Sequence, residues 1–310
     1  MLIHPSALSK AKTYAERNYQ CLVNEPKLFL MRKSARFELV RDAVELGSRI
    51  GSRSACPAAN GNPEKTLFPD LDVERTVNEL RSDGLSLNLQ LPSSIVQELV
   101  QFAVASPCYG DRDPSLEFYI DRRSELEATL GRSLRIGSYL DTHRTHPTFQ
   151  ALITDPKILA IASHYLSTPV PKYLTSEIAW SFPAPADSYE ELKAAQVYHY
   201  DIDDYKCIKF FFYLTDVDEH SGPHACIRKS HRNKKLMHQI LGQRCASIQD
   251  ERLLEMYGRD NAELICGSSG SGFVEDVFCF HKGVPPQHQT RLMLQFEYTM
   301  SHYEGARMYT

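Results

Sequence analysis

The sequence predicts a mainly β fold with flanking helices, an α+β architecture whose core is a double-stranded β-helix, or jelly roll. Three observations carry this. From residue 196 onward, short runs rich in β-branched and aromatic residues follow one another between turns, at 208–215, 264–266, 272–274, 277–281 and 291–298. In the first of these, Ile208, Phe210, Phe212 and Leu214 alternate with Lys209, Phe211, Tyr213 and Thr215, so both faces are largely apolar and the strand is covered on both sides. In the last, an inward Arg291 leaves Leu292, Leu294, Phe296 and Tyr298 facing outward, and a face this apolar must be covered by helices and not by water. The same parity turns His281, Cys279 and Val277 inward and Phe278 and Phe280 outward.

The helices that would do the covering lie upstream. Residues 1 to about 50 read as helical, with a polar stretch at 9–18, an interruption at Pro26, and Leu30, Phe37, Leu39, Val40, Val44 and Leu46 at mixed helical spacing. Residues 51–69 concentrate Gly, Ser, Pro and Asn and read as a loop or linker. The expected organisation is a helical extension and linker over 1–70 and a jelly-roll domain over 71–310. Residues 72–81 form a helix that stops near Gly84, and 85–91 alternate as a strand. A second helix opens at Pro92 and runs to Ala105, with Ser93 or Ser94 as its N-cap. A third follows Asp155-Pro156, where proline sits comfortably in a first turn. Residues 173–182 are strand-like and carry Trp180, the single tryptophan; 183–188 are a loop, and 238–257 a helical insertion.

Composition excludes several classes. A net charge of −4 and a pI near 6.3 give no general drive toward nucleic acid or an anionic membrane. Eight cysteines are scattered without a C-x-x-C, which argues against a disulfide framework and a zinc ribbon and for free thiols in a reducing compartment. No apolar run reaches the ~20 residues of a membrane span, nor does the start of the chain carry a signal-peptide core. The expectation is a soluble, cytoplasmic protein.

The chemistry concentrates in Tyr198-His199-Tyr200-Asp201 and Phe280-His281-Lys282-Gly283. In an extended strand, residues two apart share a face, so His199 and Asp201 reach one point with Tyr200 turned away. His281 would complete a 2-His-1-carboxylate face, which leaves three adjacent positions open on a metal and suits non-haem Fe(II). Ten residues further on, Arg291 stands on a strand where its guanidinium could clamp a carboxylate with two parallel hydrogen bonds.

Four stretches in order, AQVYHYD (195–201), KFFFYLTDVDEHSGPHACIRKSH (209–231), GSGFVEDVFCFHKG (270–283) and RLMLQFEY (291–298), resemble the phytanoyl-CoA dioxygenase family of Fe(II)/2-oxoglutarate-dependent oxygenases. Residues 80–103 extend the likeness upstream, and the first 70 residues lie outside it. The resemblance implies the same cupin-like jelly roll. It also implies Fe(II) on His199, Asp201 and His281, 2-oxoglutarate held by Arg291, and O2 as the oxidant. The implied reaction oxidises an unactivated C–H of a small-molecule metabolite, by hydroxylation, desaturation or cyclisation, with release of succinate and CO2. A carboxylate at 201, where halogenating relatives have a small residue, implies oxygenation and not chlorination. The rival readings are a non-catalytic cupin-like binding protein and a metal-dependent hydrolase or isomerase.

Other residues are weighed against plainer roles. An Arg-x-Ser pair holds the co-substrate carboxylate in several oxygenases; here Met293 stands at the second position, which leaves Thr290, Tyr298 and Gln196 as candidate second donors. Trp180 and Gln196 fall where the family places pocket residues, and core packing is the plainer reading of Trp180. His220 and His224 have helical metal-pair spacing, but Ser221-Gly222-Pro223 between them breaks a helix. Cys279 reads as an iron-facing thiol or as small-residue packing. Arg228, Lys229, Arg232, Lys234 and Lys235, around His231, form a basic run. It reads as a solvated loop or as a landing site for an anionic group on the substrate. The expected partner is a small molecule, with no nucleic acid and no membrane.

Overall fold

The computed structural model describes residues 16, 18–52, 66–185 and 195–303. The expected helix at 9–18 and most of the 51–69 linker lie outside the described residues, as does the end of the 183–188 loop. Strands β1 (Leu85–Gln90), β2 (Cys108–Gly110), β3 (Glu117–Phe118), β4 (Ile136–Ser138), β5 (Lys172–Ser181), β6 (Cys207–Tyr213), β9 (Ser271–Asp276) and β11 (Arg291–Thr299) form one sheet in the order β1-β9-β6-β11-β5-β4-β2-β3. Strands β7 (His224–Ile227), β8 (Ala262–Ile265) and β10 (Phe280–Gly283) form a second, in the order β10-β7-β8. All pairings are antiparallel. Two facing antiparallel sheets make the jelly roll expected from the sequence.

The predicted parity of β6 and β11 is observed. Ile208, Phe210, Phe212, Leu214, Leu292, Leu294, Phe296 and Tyr298 pack outward into one buried cluster. It is completed by α3 (Val73–Asp83), α4 (Ser93–Ala105), α6 (Pro147–Ile153) and α7 (Pro156–Leu166), through residues such as Leu80, Leu99, Leu152 and Ile161. α5 (Arg123–Leu130) joins this layer with half-buried Leu126 and Leu130. Between the sheets a smaller cluster holds Leu85, Phe211, Tyr213, Ile265 and Phe273. The alternation of β6 therefore separates a helix-side core from a barrel interior, and Lys209 falls on the interior side.

The helix ends follow their sequence signals, with one correction. Asp72 caps α3 by accepting from Arg75 N, and Asp155 caps α7 by accepting from Lys157 N and Ile158 N. At α4 the capping position is Pro92, without a side-chain bond, so neither Ser93 nor Ser94 is the N-cap. The helical insertion after β7 is broken into α8 (Leu236–Leu241), a 3₁₀ segment and α9 (Asp250–Tyr257). A second correction concerns 277–281. Only Phe280 and His281 are in a strand; 276–279 is a tight turn closed by Cys279 N to Asp276 O (2.8 Å), with Phe278 N donating to Asp276 Oδ1 (2.9 Å). Alternation does not pass through a turn, which is why Val277 packs with Phe278 and Phe280. Gly84 backs this turn at φ +75°, and a Cβ there would stand 2.4 Å from Cys279 Sγ and 2.6 Å from His231 Nδ1.

Residues 18–52 cover the outer face of the small sheet. α1 (Pro26–Ser34) begins with Pro26 in its first turn and buries Leu28 and Met31 against a cluster of Tyr198, Tyr200, Ile202, Phe278 and Phe280. α2 (Glu38–Ser52) lays Arg41 over the Phe278 ring, 3.9 Å from its centroid, and donates from Arg41 Nη2 to His231 O (2.6 Å). Glu45 on the same face takes Lys206 Nζ at 2.6 Å. Of the basic run, Arg228 pairs with Glu263 (2.8 Å) and Arg232 approaches Glu45 (3.5 Å). Lys234 is buried, its ammonium 4.0 Å and 3.8 Å from the Tyr200 and Phe280 ring centroids, with no hydrogen-bond partner for Nζ. Lys229, Arg232 and Lys235 are exposed, so most of the run is the solvated loop of the plainer reading, and Lys234 is its buried exception.

Burial pulls the Lys234 amine down to about 7, with the Arg41 charge adding to the effect. The unfolded chain therefore takes up a proton over pH 7 to 10.5 that the folded chain resists, and the cost is full below about pH 7. Lys234→Met keeps the length and packs the same rings without a desolvated charge. It should raise stability by about 1–4 kcal/mol, more at pH 6 than at pH 9, measured by thermal melts across that range. A destabilised variant would show that the two rings outweigh the desolvation.

Candidate metal centre

Residues 195–201 run beside 277–283 and extend the small sheet by one edge. His199 N donates to His281 O (3.0 Å) and His281 N to His199 O (2.9 Å). Asp201 N donates to Val277 O and Gly283 N to Ala195 O, each at 2.9 Å. This pairing puts the two imidazoles side by side, with ring centroids 4.5 Å apart. Each ring is then held by its own backbone: His199 Nδ1 lies 2.8 Å from Val197 O and His281 Nδ1 3.0 Å from Cys279 O. A proton on Nδ1 leaves Nε2 with its lone pair turned toward Asp201, the arrangement an imidazole ligand requires. His199 Nε2 is 3.9 Å from Asp201 Oδ1 and His281 Nε2 3.7 Å from Asp201 Oδ2; one ligand atom from each residue falls within 4.8 Å of the others. The donor set and its tautomers fit a divalent metal of the Fe(II) type.

Buried charges surround the three residues. Lys209 Nζ donates to Asp201 Oδ2 (3.0 Å) and lies 3.3 Å from Glu297 Oε2. Glu275 is fully buried and reaches two histidines, His224 Nε2 from Oε2 (2.7 Å) and His281 Nδ1 from Oε1 (3.2 Å). Burial alone would raise the Asp201 carboxyl, but Lys209, His281 and His199 hold it well below the usual carboxylate range. Burial and the neighbouring His281 pull His199 down to about 4. His281 goes the other way: against the pull of burial, Glu275 and Asp201 lift it to about 9. Burial lifts the Glu297 carboxyl to about 8 although Lys209 opposes the shift.

Arg291 opens β11 opposite Ser181 of β5. Its guanidinium is buried, donates from Nη1 to Gly222 O and from Nη2 to Ser181 Oγ (2.9 Å), and leaves Nε without a partner. Nη2 is also 3.7 Å from the place a Cβ would take on Gly283. Gly283 lies two residues beyond His281, so the guanidinium approaches β10 one strand repeat along from that histidine and on the same face.

The other sequence candidates fall in different places. Among the described residues, the side chain hydrogen-bonded to Arg291 is Ser181, and not Thr290, Tyr298 or Gln196. Tyr298 OH reaches Ile153 O in the helix layer, and Gln196 Oε1 accepts from Arg135 Nη1 (3.0 Å). Trp180 donates from Nε1 to Tyr139 OH (2.7 Å) within the helix-side core, so packing is its role. Cys279 Sγ lies 3.6 Å from His231 Nδ1 and 3.9 Å from the carbonyls of Asp83 and Gly84, behind the turn. His224 is bound to Glu275 and His220 is exposed, so the two do not form a zinc pair. Lys209, Glu275, Glu297 and Ser181 were not singled out from the sequence; the one signal was a lysine on the interior face of an otherwise aromatic strand.

No family profile and no curated protein matches the sequence. Solved structures do match the fold. The non-heme alpha-ketoglutarate-dependent epimerase SnoN from nogalamycin biosynthesis superposes with a TM-score of 0.51 at 16% identity, over 76% of this chain and 86% of that one. EvdO2 from Micromonospora carbonacea var. aurantiaca, solved with 2-oxoglutarate, superposes at 0.50 with 14% identity, over 78% of this chain and 98% of that one. The chain therefore has the jelly-roll fold of these enzymes.

A metal that takes Nε2 of His281 must displace the proton held there below about pH 9. Apparent affinity for the metal should rise about tenfold per pH unit up to that point, with about one proton released per ion. Anaerobic calorimetry of Fe(II) or Co(II) binding in buffers of different ionisation heat counts the protons. Zero release at pH 7 would mean that His281 is already neutral in the metal-free protein.

Proposed function

We propose that the chain is an Fe(II)- and 2-oxoglutarate-dependent oxygenase acting on a C–H bond of a small-molecule metabolite. The observation that carries this is the joint geometry of the three ligands and the buried Arg291. A jelly roll that only bound a ligand, or a hydrolase on the same fold, has no need of a buried guanidinium one strand repeat from a 2-His-1-carboxylate face. The neighbours in fold support the class: SnoN is described as alpha-ketoglutarate dependent, and EvdO2 was solved with 2-oxoglutarate.

His199, Asp201 and His281 would hold the iron, which when bound couples decarboxylation of 2-oxoglutarate by O2 to oxidation of the substrate. Arg291, with Ser181 beside it, would receive the distal carboxylate and so fix the direction in which the co-substrate lies. The hydrogen bond to the Gly222 carbonyl orients the guanidinium. Lys209 holds Oδ2 of Asp201, so Oδ1 would be the oxygen left to hold a metal. Glu275 steadies the His281 ring from behind, the support that a metal-bound imidazole usually receives. The apolar interior of Phe211, Tyr213 and Phe273 excludes water beside the polar cluster.

Arg291→Ala should raise the 2-oxoglutarate requirement by about 2–5 kcal/mol of lost binding with Fe(II) affinity nearly unchanged; Ser181→Ala should do so by less. Succinate release and metal titration measure the two separately. An unchanged 2-oxoglutarate requirement removes Arg291 from the site. Metal-dependent turnover of a substrate without succinate would replace the oxygenase by a hydrolase or isomerase.

A further inference from the structure

α2 is amphipathic in the opposite sense to the rest of the fold. Its charged face is the inner one: Glu45 is buried against Lys206, and Arg41 is seated on Phe278 and His231. Ser48 Oγ completes that face by donating to Ser167 O (2.7 Å). Its apolar face is turned to solvent, with Leu39 84% exposed, Ile50 65% and Leu46 60%, and Ala43 exposed between them. Residues 39, 43, 46 and 50 are spaced four, three and four apart, the alternation of a coiled-coil seam. Isolated exposed leucines are ordinary; a solvent-facing seam over a helix of 15 residues is not.

The charges beside the seam specify its occupant. With Leu39, Ala43, Leu46 and Ile50 in the two seam positions, Asp42 and Arg49 flank one side, both exposed, Arg49 holding Glu45 of its own helix from Nη2 (2.6 Å) with half of its side chain open to solvent, and Val40 and Gly47 flank the other. In an antiparallel pair of two such helices, Leu39 meets Ile50 and Ala43 meets Leu46. Asp42 then faces Arg49 of the second copy and Arg49 faces its Asp42, while Val40 meets the small Gly47. The seam is therefore complementary to itself in charge and in size, as a two-fold interface must be. A lipid surface is the poorer occupant, because the flank carries an acid for each base.

The patch continues past the helix. Glu38 N donates to Gln239 Oε1 and Arg36 Nη1 to Ile240 O, each at 3.0 Å, which places α8 beside the start of α2. There Leu236, Met237 and Ile240 are exposed. One helix ~22 Å long falls short of the roughly 800 Å² per partner that stable interfaces bury; the exposed α8 side chains add apolar surface beside the start of α2.

We infer that the chain forms a two-fold homodimer through antiparallel pairing of α2 with α2 of a second copy. The Asp42–Arg49 contacts set its register. Sedimentation velocity on the full chain tests this over a concentration series. The wild type should be a dimer, and Leu46→Glu should be a monomer with an unchanged circular dichroism spectrum. Asp42→Arg and Arg49→Glu each place like charges across the interface and should weaken self-association on the order of tenfold. Mixed together, the two variants restore both opposite-charge contacts and should form a heterodimer tighter than either homodimer. A monomeric wild type, a dimer indifferent to Leu46→Glu, or a mixture no tighter than its components overturns the proposal. So does a monomer that sediments with phosphatidylcholine–phosphatidylserine vesicles, which would assign the seam to a membrane surface.

Discussion

The site rests on one backbone exchange, the pair of hydrogen bonds between His199 and His281. Residues 195–201 contribute no long strand; they hold to the edge of β10 through that exchange and two single bonds on either side. It fixes both imidazoles on one face, and the carbonyls of Val197 and Cys279 then settle the tautomers. A slip of one residue in this pairing would turn Tyr200 toward the metal position and the ligands away. The tyrosine is fully buried against Phe278 and Phe280 on the other side, so the cost of slipping includes stripping an aromatic cluster as well as losing hydrogen bonds.

A second constraint is electrostatic. Asp201, Asp203, Glu275 and Glu297 are gathered near one buried lysine and two imidazoles. In an apolar interior such a group is costly unless each charge has a counterpart. Lys209 serves Asp201 and Glu297, His281 serves Asp201 and Glu275, and Glu297 keeps both oxygens short of hydrogen bonds. Carboxylates outnumber the cations in this interior, a balance that would suit a divalent cation.

The grouping of His199 with Asp201 was legible because period-two geometry makes H-x-D a local signal, and the outward apolar face of β11 was legible for the same reason. What lay across the barrel was not. Lys209 read only as the odd member of an aromatic strand, since local alternation gives the face but not the neighbour opposite. Glu275 lay just past the strand read at 272–274 and carried no signal of its own. Residues 277–279 read as strand because a turn buried on both sides has the same apolar composition. Arg41 and Glu45 would have been placed on the solvent side of α2 by hydrophobicity alone; their partners Phe278, His231 and Lys206 lie some 160 to 240 positions away in sequence.

That separation shapes how the protein is made. Synthesis delivers α1 and α2 well before their seat on Tyr198, Tyr200, Phe278 and Phe280. Until then Leu28 and Met31 have nothing to pack against, and the loop to be closed is among the longest in the molecule. Such non-local contacts form late and slowly, and they leave apolar surface open to aggregation in the interval. The back of the small sheet is thus sealed by residues near 30 and completed by residues near 280, so that α1, α2 and the turn at 276–279 fold as one unit.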